Sequence, residues 1–114
     1  MIHALAADAK KIYGLSDGNF FSYDPQTKKT KTVNIVKNTS GRFNNGSLVI
    51  GNDSLIYGTV EGTLFSVHPE TMKKEILKNN GAERLTKGAD GIIYFTNKDE
   101  LFSLNVHQKV MWGK

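Results

Sequence analysis

Apolar and polar positions alternate along this chain in short runs, and the runs recur. Ile12-Tyr13-Gly14 is followed by Phe21-Ser22, Ile56-Tyr57-Gly58 by Phe65-Ser66, and Ile93-Tyr94-Phe95 by Phe102-Ser103. In all three the phenylalanine stands nine residues after the isoleucine. A fixed internal offset of this kind marks one supersecondary unit used three times. The stretch Leu55–Thr71, LIYGTVEGTLFSVHPET, carries the unit in its fullest form.

Each unit predicts four strands separated by turn residues. In the first, strands are expected at Ile2–Ala7, Lys11–Ser16, Phe20–Tyr23 and Thr30–Val36. Asp17-Gly18 reads as a tight hairpin turn. Asp24-Pro25-Gln26-Thr27 is a turn with its φ fixed by proline. The second unit predicts Ser47–Ile50, Leu55–Val60, Thr63–Val67 and Lys74–Lys78, with His68-Pro69-Glu70-Thr71 in the place of the first proline turn. The third predicts Arg84–Lys87, Ile92–Thr96, Glu100–Leu104 and Lys109–Trp112, with Asn105-Val106-His107-Gln108 where the proline turn is lost. That makes twelve strands in three groups of four. No window has helical periodicity. The repeat spacing is 44 residues from Ile12 to Ile56 and 37 from Ile56 to Ile93, and Lys37–Gly46 accounts for the difference.

The central strands are apolar on both faces. Tyr13 and Leu15 oppose Ile12, and Ile93 and Phe95 oppose Ile92 and Tyr94. A two-layer sandwich would leave one polar face per strand. Sheets covered on both sides are instead the condition of blades in a β-propeller, stacked face to face around an axis. The expected fold is therefore all-β, a single propeller-type domain over residues 1–114 with blades at about 2–37, 46–78 and 82–114.

The segments IYGLSDGNFFSYDPQTKK and LIYGTVEGTLFSVHPETMKK resemble blades of bacterial β-propellers of the quinoprotein-like and YVTN-like kind. In those families an aliphatic-Tyr strand is followed by a Gly-bearing hairpin and a D-P-x-T turn. The resemblance covers the whole chain and implies an architecture. The tryptophan-bearing signatures of cofactor-binding quinoproteins are absent, the one Trp being Trp112, so no quinone or other cofactor is expected.

Propellers have about four to eight blades. Three cannot close a ring, and an open stack leaves apolar sheet faces in water. The expected partner is a second copy, completing a six-bladed ring head to tail. The alternative is that the remaining blades belong to a longer parent chain.

Composition alters this picture little. The chain is 39% hydrophobic and 23% charged, as globular domains are. It has no cysteine, which excludes disulfides and thiolate metal sites. No apolar run is long enough to span a bilayer, and the first residues, MIHALAADAKK, do not read as a signal peptide. The chain is read as soluble, with its compartment left open. The net charge of +4 comes from lysines in or beside the fourth strands, Lys28, Lys29, Lys31 and Lys37, then Lys73, Lys74 and Lys78, then Lys109 and Lys114. Lysine on an outer edge discourages sheet-to-sheet pairing. No aromatic residues interleave with them, and neither nucleic acid nor membrane is an expected partner.

Candidate chemistry is sparse. Asp17, Glu61 and Asp99 fall in the hairpins between second and third strands, which in propellers edge a ligand-binding face. A ring of such acids could hold a cation or sugar, while Asp-Gly and Glu-Gly also simply make good turns. Arg42, Phe43, Asn44 and Asn45 sit in the longest polar connection, the most ligand-like stretch. His68 and His107 would share a rim, but no histidine has a partner at metal-ligand spacing, and no metal is expected. Asn38-Thr39-Ser40 and Asn52-Asp53-Ser54 match the glycosylation sequon. No nucleophile elbow, phosphate loop or zinc motif occurs. The reading is a non-catalytic module for a protein or glycan partner, against a hydrolase or lyase with its site at the propeller axis, or a propeller fragment without independent function.

Overall fold

A computed structural model describes residues 2–37 and 46–104. The described chain forms three antiparallel sheets, each a simple meander. The first contains β1 (Ile2–Ala7), β2 (Ile12–Ser16), β3 (Asn19–Asp24) and β4 (Lys29–Asn34), in that spatial order. The second contains β5 (Gly46–Ile50), β6 (Ile56–Val60), β7 (Thr63–Val67) and β8 (Lys74–Lys78). The third contains β9 (Arg84–Lys87), β10 (Ile93–Asn97) and β11 (Glu100–Leu104). The first strands of the sheets lie side by side, β1 against β5 and β5 against β9. This is the inner edge of the stack, and β4 and β8 form the exposed outer edge.

The third sheet has three strands among the described residues, not the four expected. The predicted twelfth strand at Lys109–Trp112 lies outside the described residues, as do Arg42, Phe43, Asn44, Asn45 and His107. In the first sheet the fourth strand stops at Asn34 rather than Val36. The amides of Ile35 and Val36 turn away from the ladder and donate to the Gly18 carbonyl at 2.9 and 3.1 Å. The turn carries Ile35 into the core, which a straight strand would have left at the edge.

Two cores result, one on each side of the second sheet. Tyr13, Leu15, Phe20 and Ile35 of the first sheet meet Ile56, Val60, Phe65 and Val67 of the second. On its other face the second sheet sets Tyr57 and Leu64 against Ile93, Phe95 and Leu104, with Leu85 and Phe102 at the margin. Every position of β6 and β7 is consequently buried, the arrangement expected of a sheet covered on both sides. Phe20 and Phe65 make the aromatic bridge between sheets, an edge-on contact at 6.3 Å between ring centroids.

The repeated glycine has a packing reason. A Cβ at Gly58 would stand 2.5 Å from the Phe65 ring and 2.8 Å from Leu48, and one at Gly14 would stand 2.3 Å from the Phe21 ring and 3.1 Å from Leu5. Glycine lets the phenylalanine of the next strand lie flat across the backbone. The third repeat solves the same problem differently. Phe95 occupies the glycine position, and its ring stacks on Phe102 at 5.4 Å.

Candidate functional site

Because each sheet is a meander, its first turn emerges at one end, together with the third turn in the first two sheets, and its second turn at the other. The two ends are built for different purposes.

At the second-turn end, Asp17 and Glu61 take the first hairpin position in the left-handed region, with φ of 51° and 48°. The following Gly18 and Gly62 have φ of 85° and 87°, the paired positive angles that match strand twist in a two-residue hairpin. In the third sheet the left-handed position is held by Lys98, with φ 56°. Asp99 comes one residue later, where the other repeats have glycine, so the three acids do not occupy one repeated position. This end is tied down by the connections leaving the first two sheets. Gly18 O accepts the Ile35 and Val36 amides, Gly62 O accepts the Ala82 amide at 3.0 Å, and the Lys98 amide donates to Glu83 at 3.0 Å.

At the opposite end each repeat carries an aspartate–tyrosine clip. The Tyr13 hydroxyl donates to Asp8 Oδ2 at 2.7 Å, Tyr57 to Asp53 Oδ2 at 2.6 Å and Tyr94 to Asp90 Oδ2 at 2.9 Å. The other carboxylate oxygen closes the turn by accepting main-chain amides. Those donors are Lys10 and Lys11 for Asp8, both at 2.8 Å, Leu55 for Asp53 at 3.1 Å and Ile92 for Asp90 at 3.0 Å. In the first and third repeats the clip favours a neutral phenol beside an ionised carboxylate. Burial and the hydrogen bond to an aspartate push the Tyr13 and Tyr57 hydroxyls above the usual tyrosine range. At Asp8, desolvation opposes ionisation, but the Tyr13, Lys10 and Lys11 hydrogen bonds outweigh it and hold the carboxyl below its ordinary value. The Ile92 amide and the Tyr94 hydroxyl lower Asp90 in the same way.

The third turns stand beside these clips. Asp24 Oδ1 accepts the Gln26 and Thr27 amides at 2.9 and 3.4 Å. In the second repeat His68 performs the same task through a ring nitrogen, Nδ1 accepting the Glu70 and Thr71 amides at 3.1 and 3.4 Å. That assignment places the proton of the neutral ring on Nε2.

Between the first and second sheets these turns enclose a groove of about 300 Å³. Its walls include the clip residues Asp8, Tyr13 and Asp53, with Lys10, Lys11, His68 and Glu70 above them. A second hollow, of about 550 Å³, continues it over Asp24, Pro25 and Gln26 and shares Lys10, Lys11 and Glu70. The combined surface offers ammonium donors and carboxylate acceptors around the fixed Asp8–Tyr13 pair and the Asp53 carboxylate. It can hold a polar ligand by hydrogen bonds of both senses. Among the described residues no three His, Asp or Glu side chains are grouped to hold a metal ion.

Of the site candidates singled out from sequence, the three that the structure describes, Asp17, Glu61 and Asp99, do not line this groove. Asp17 borders a different hollow, on the outer face of the first sheet. His68, expected from sequence as a rim residue without a metal-ligand partner, helps to shape the groove. The signal for the groove was the aspartate that precedes each repeat's tyrosine by four or five residues, together with the meander rule that puts first and third turns at one end.

No protein-family profile matches the chain, and no curated protein matches its sequence. Solved structures do match. Virginiamycin B lyase from Staphylococcus aureus superposes with a TM-score of 0.74 at 12% identity, over 96% of this chain and 40% of that one. The extracellular domain of a protein described as a one component system from B. thetaiotaomicron superposes with a TM-score of 0.70 at 16% identity, over 90% of this chain and 15% of that one. Both are β-propeller folds. At these identities the likeness concerns fold alone. The chain has an all-β, propeller-like fold and spans less than half the length of either structure.

Proposed function

We propose that this chain is a non-catalytic binding and scaffolding module, and that it engages a protein or glycan partner at the groove between its first and second sheets. The observation that carries this reading is the convergence of Lys10, Lys11 and Glu70 over the clipped carboxylates of Asp8 and Asp53. The turns supporting that groove are rigidified by side-chain hydrogen bonds, so the polar groups are fixed before a ligand arrives, which lowers the cost of binding. The quinoprotein-like and YVTN-like resemblance belongs to the same reading, since it describes repeats that build a broad face. The second reading is an enzyme with its site at the propeller axis. One of the similar structures is a lyase, and that kinship of fold is its only support.

The test is titration against a glycan array and capture from lysate, with the wild type compared with Lys10→Glu/Lys11→Glu and Glu70→Lys. In the turns Lys10, Lys11 and Glu70 donate hydrogen bonds through their main-chain amides, so charge reversal leaves the scaffold in place. A partner bound by the wild type and weakened at least about tenfold, equivalent to about 1.4 kcal/mol, by both variants is the expected result. Binding indifferent to both variants, or no binding in either format, contradicts the proposal.

A further inference from the structure

The three repeats provide an internal standard for what each sheet face should contact. The face of the second sheet bearing Ile56, Gly58 and Phe65 is covered by the first sheet. The equivalent face of the third sheet, bearing Ile93, Phe95 and Phe102, is covered by the second. The equivalent face of the first sheet, with Ile12, Gly14 and Phe21, has no neighbour within the described chain. Ile12 is 39% exposed, against 0% for both Ile56 and Ile93. Leu5, whose counterpart Leu48 joins the first core, is 61% exposed, and Ile2 is 55% exposed.

The far face of the third sheet shows the complementary deficit. Leu101 is the counterpart of Phe20 and Leu64, each standing one residue before the repeated phenylalanine. Phe20 is 0% and Leu64 2% exposed, whereas Leu101 is 57% exposed. The series Tyr13, Leu15, Phe20, Ser22 reappears as Tyr57, Thr59, Leu64, Ser66 and as Tyr94, Thr96, Leu101, Ser103. The third sheet therefore ends the stack with the kind of surface that, twice within the chain, receives the next sheet.

We infer that these two open faces form one head-to-tail interface, occupied by a second copy of this chain, with the third sheet of each copy against the first sheet of the other. A second copy is the partner because the two faces are made for one another by the same repeat rule and one chain carries both. The closed arrangement repeats the contact twice around a two-fold axis and leaves neither face open. The specific contact follows from the first core, where Phe20 reaches Phe65. Leu101 of one copy takes the role of Phe20 and enters the hollow of about 420 Å³ that Ile2, Ser16, Asn19, Phe21, Thr30 and Thr32 line on the other. The substitutions on this face fit a surface that meets water before it closes. Ser16, Tyr23 and Thr32 stand where the second sheet has Val60, Val67 and Ile76.

Light scattering and sedimentation velocity on the intact chain test this inference, with far-UV circular dichroism as the control for folding. The wild type is expected at twice 12.6 kDa. Leu101→Arg and Leu5→Lys alter opposite faces at side chains already more than half exposed, so each keeps the wild-type spectrum. Each is expected to raise the dimer dissociation constant at least tenfold. A wild-type monomer, or open-ended assemblies without a dimer, overturns the inference. So does a dimer that survives either substitution, since a contact using only one kind of face would be indifferent to the other.

Discussion

Phe65→Ala is expected to destabilise the fold by about 3–5 kcal/mol, the range for truncating a buried phenylalanine. Its ring is fully buried between the first and second sheets. One side meets Phe20, and another lies across the backbone of Gly58. Truncation removes the transfer energy of the ring and leaves a space that neither neighbour fills easily. Phe20 is itself stacked on Tyr13 at 5.9 Å, and Tyr13 is held by Asp8. Collapse into the space would therefore pull on a clip at the rim. Domains of this size have about 5–15 kcal/mol of stability in total, so the variant should sit near its unfolding threshold. Urea denaturation should show a much lower midpoint. Phe21→Ala, at the equivalent position on the first-sheet face that is open in the single chain, is the internal control and, with both variants made in the Leu101→Arg background that keeps the chain monomeric, should cost roughly half as much or less.

Gly58→Ala is expected to cost about 1–3 kcal/mol, the range for overpacking a tight core. The added methyl would stand 2.5 Å from Phe65 and 2.8 Å from Leu48. Phe65 cannot retreat, because Phe20 blocks it from the other sheet. Gly14→Ala creates an equally short contact, 2.3 Å from Phe21. In the single chain that ring and Leu5 face outward and can swing aside, so thermal unfolding of both variants in the monomeric Leu101→Arg background should register a clearly smaller loss at Gly14. Equal losses at the two glycines would mean that the second sheet is not confined on both faces as described.

The strands were legible in the sequence because alternation and turn chemistry agreed with each other. Thr63–Val67, Lys74–Lys78, Arg84–Lys87 and Glu100–Leu104 coincide with β7, β8, β9 and β11. The constant spacing from isoleucine to phenylalanine was readable for the same reason, since both positions share one sheet face, packed into a core in the second and third repeats, and turn length is fixed between them. The site was less legible. Asp8, Asp53 and Asp90 look like ordinary turn residues, and only the hairpin register brings each within reach of a tyrosine on the following strand. The same register separates Asp99 from Asp17 and Glu61, a one-residue difference that spacing from the isoleucine already contained. His68 in the place of Asp24 could not be recognised as its substitute without seeing that a ring nitrogen accepts the same two amides. The open faces of the first and third sheets were legible as a consequence of having three units. Which side chains they expose depended on the direction of the stack.

The central claim is that three equivalent sheets stand face to face, with the middle one covered on both sides. Amide hydrogen exchange followed by residue tests it most directly. The amides of β6 and β7 should exchange more slowly than any others, with those of the outer strands β4 and β8 among the fastest within the sheets. Exchange at Ile56–Val60 and Thr63–Val67 as fast as at Lys29–Asn34 would contradict it.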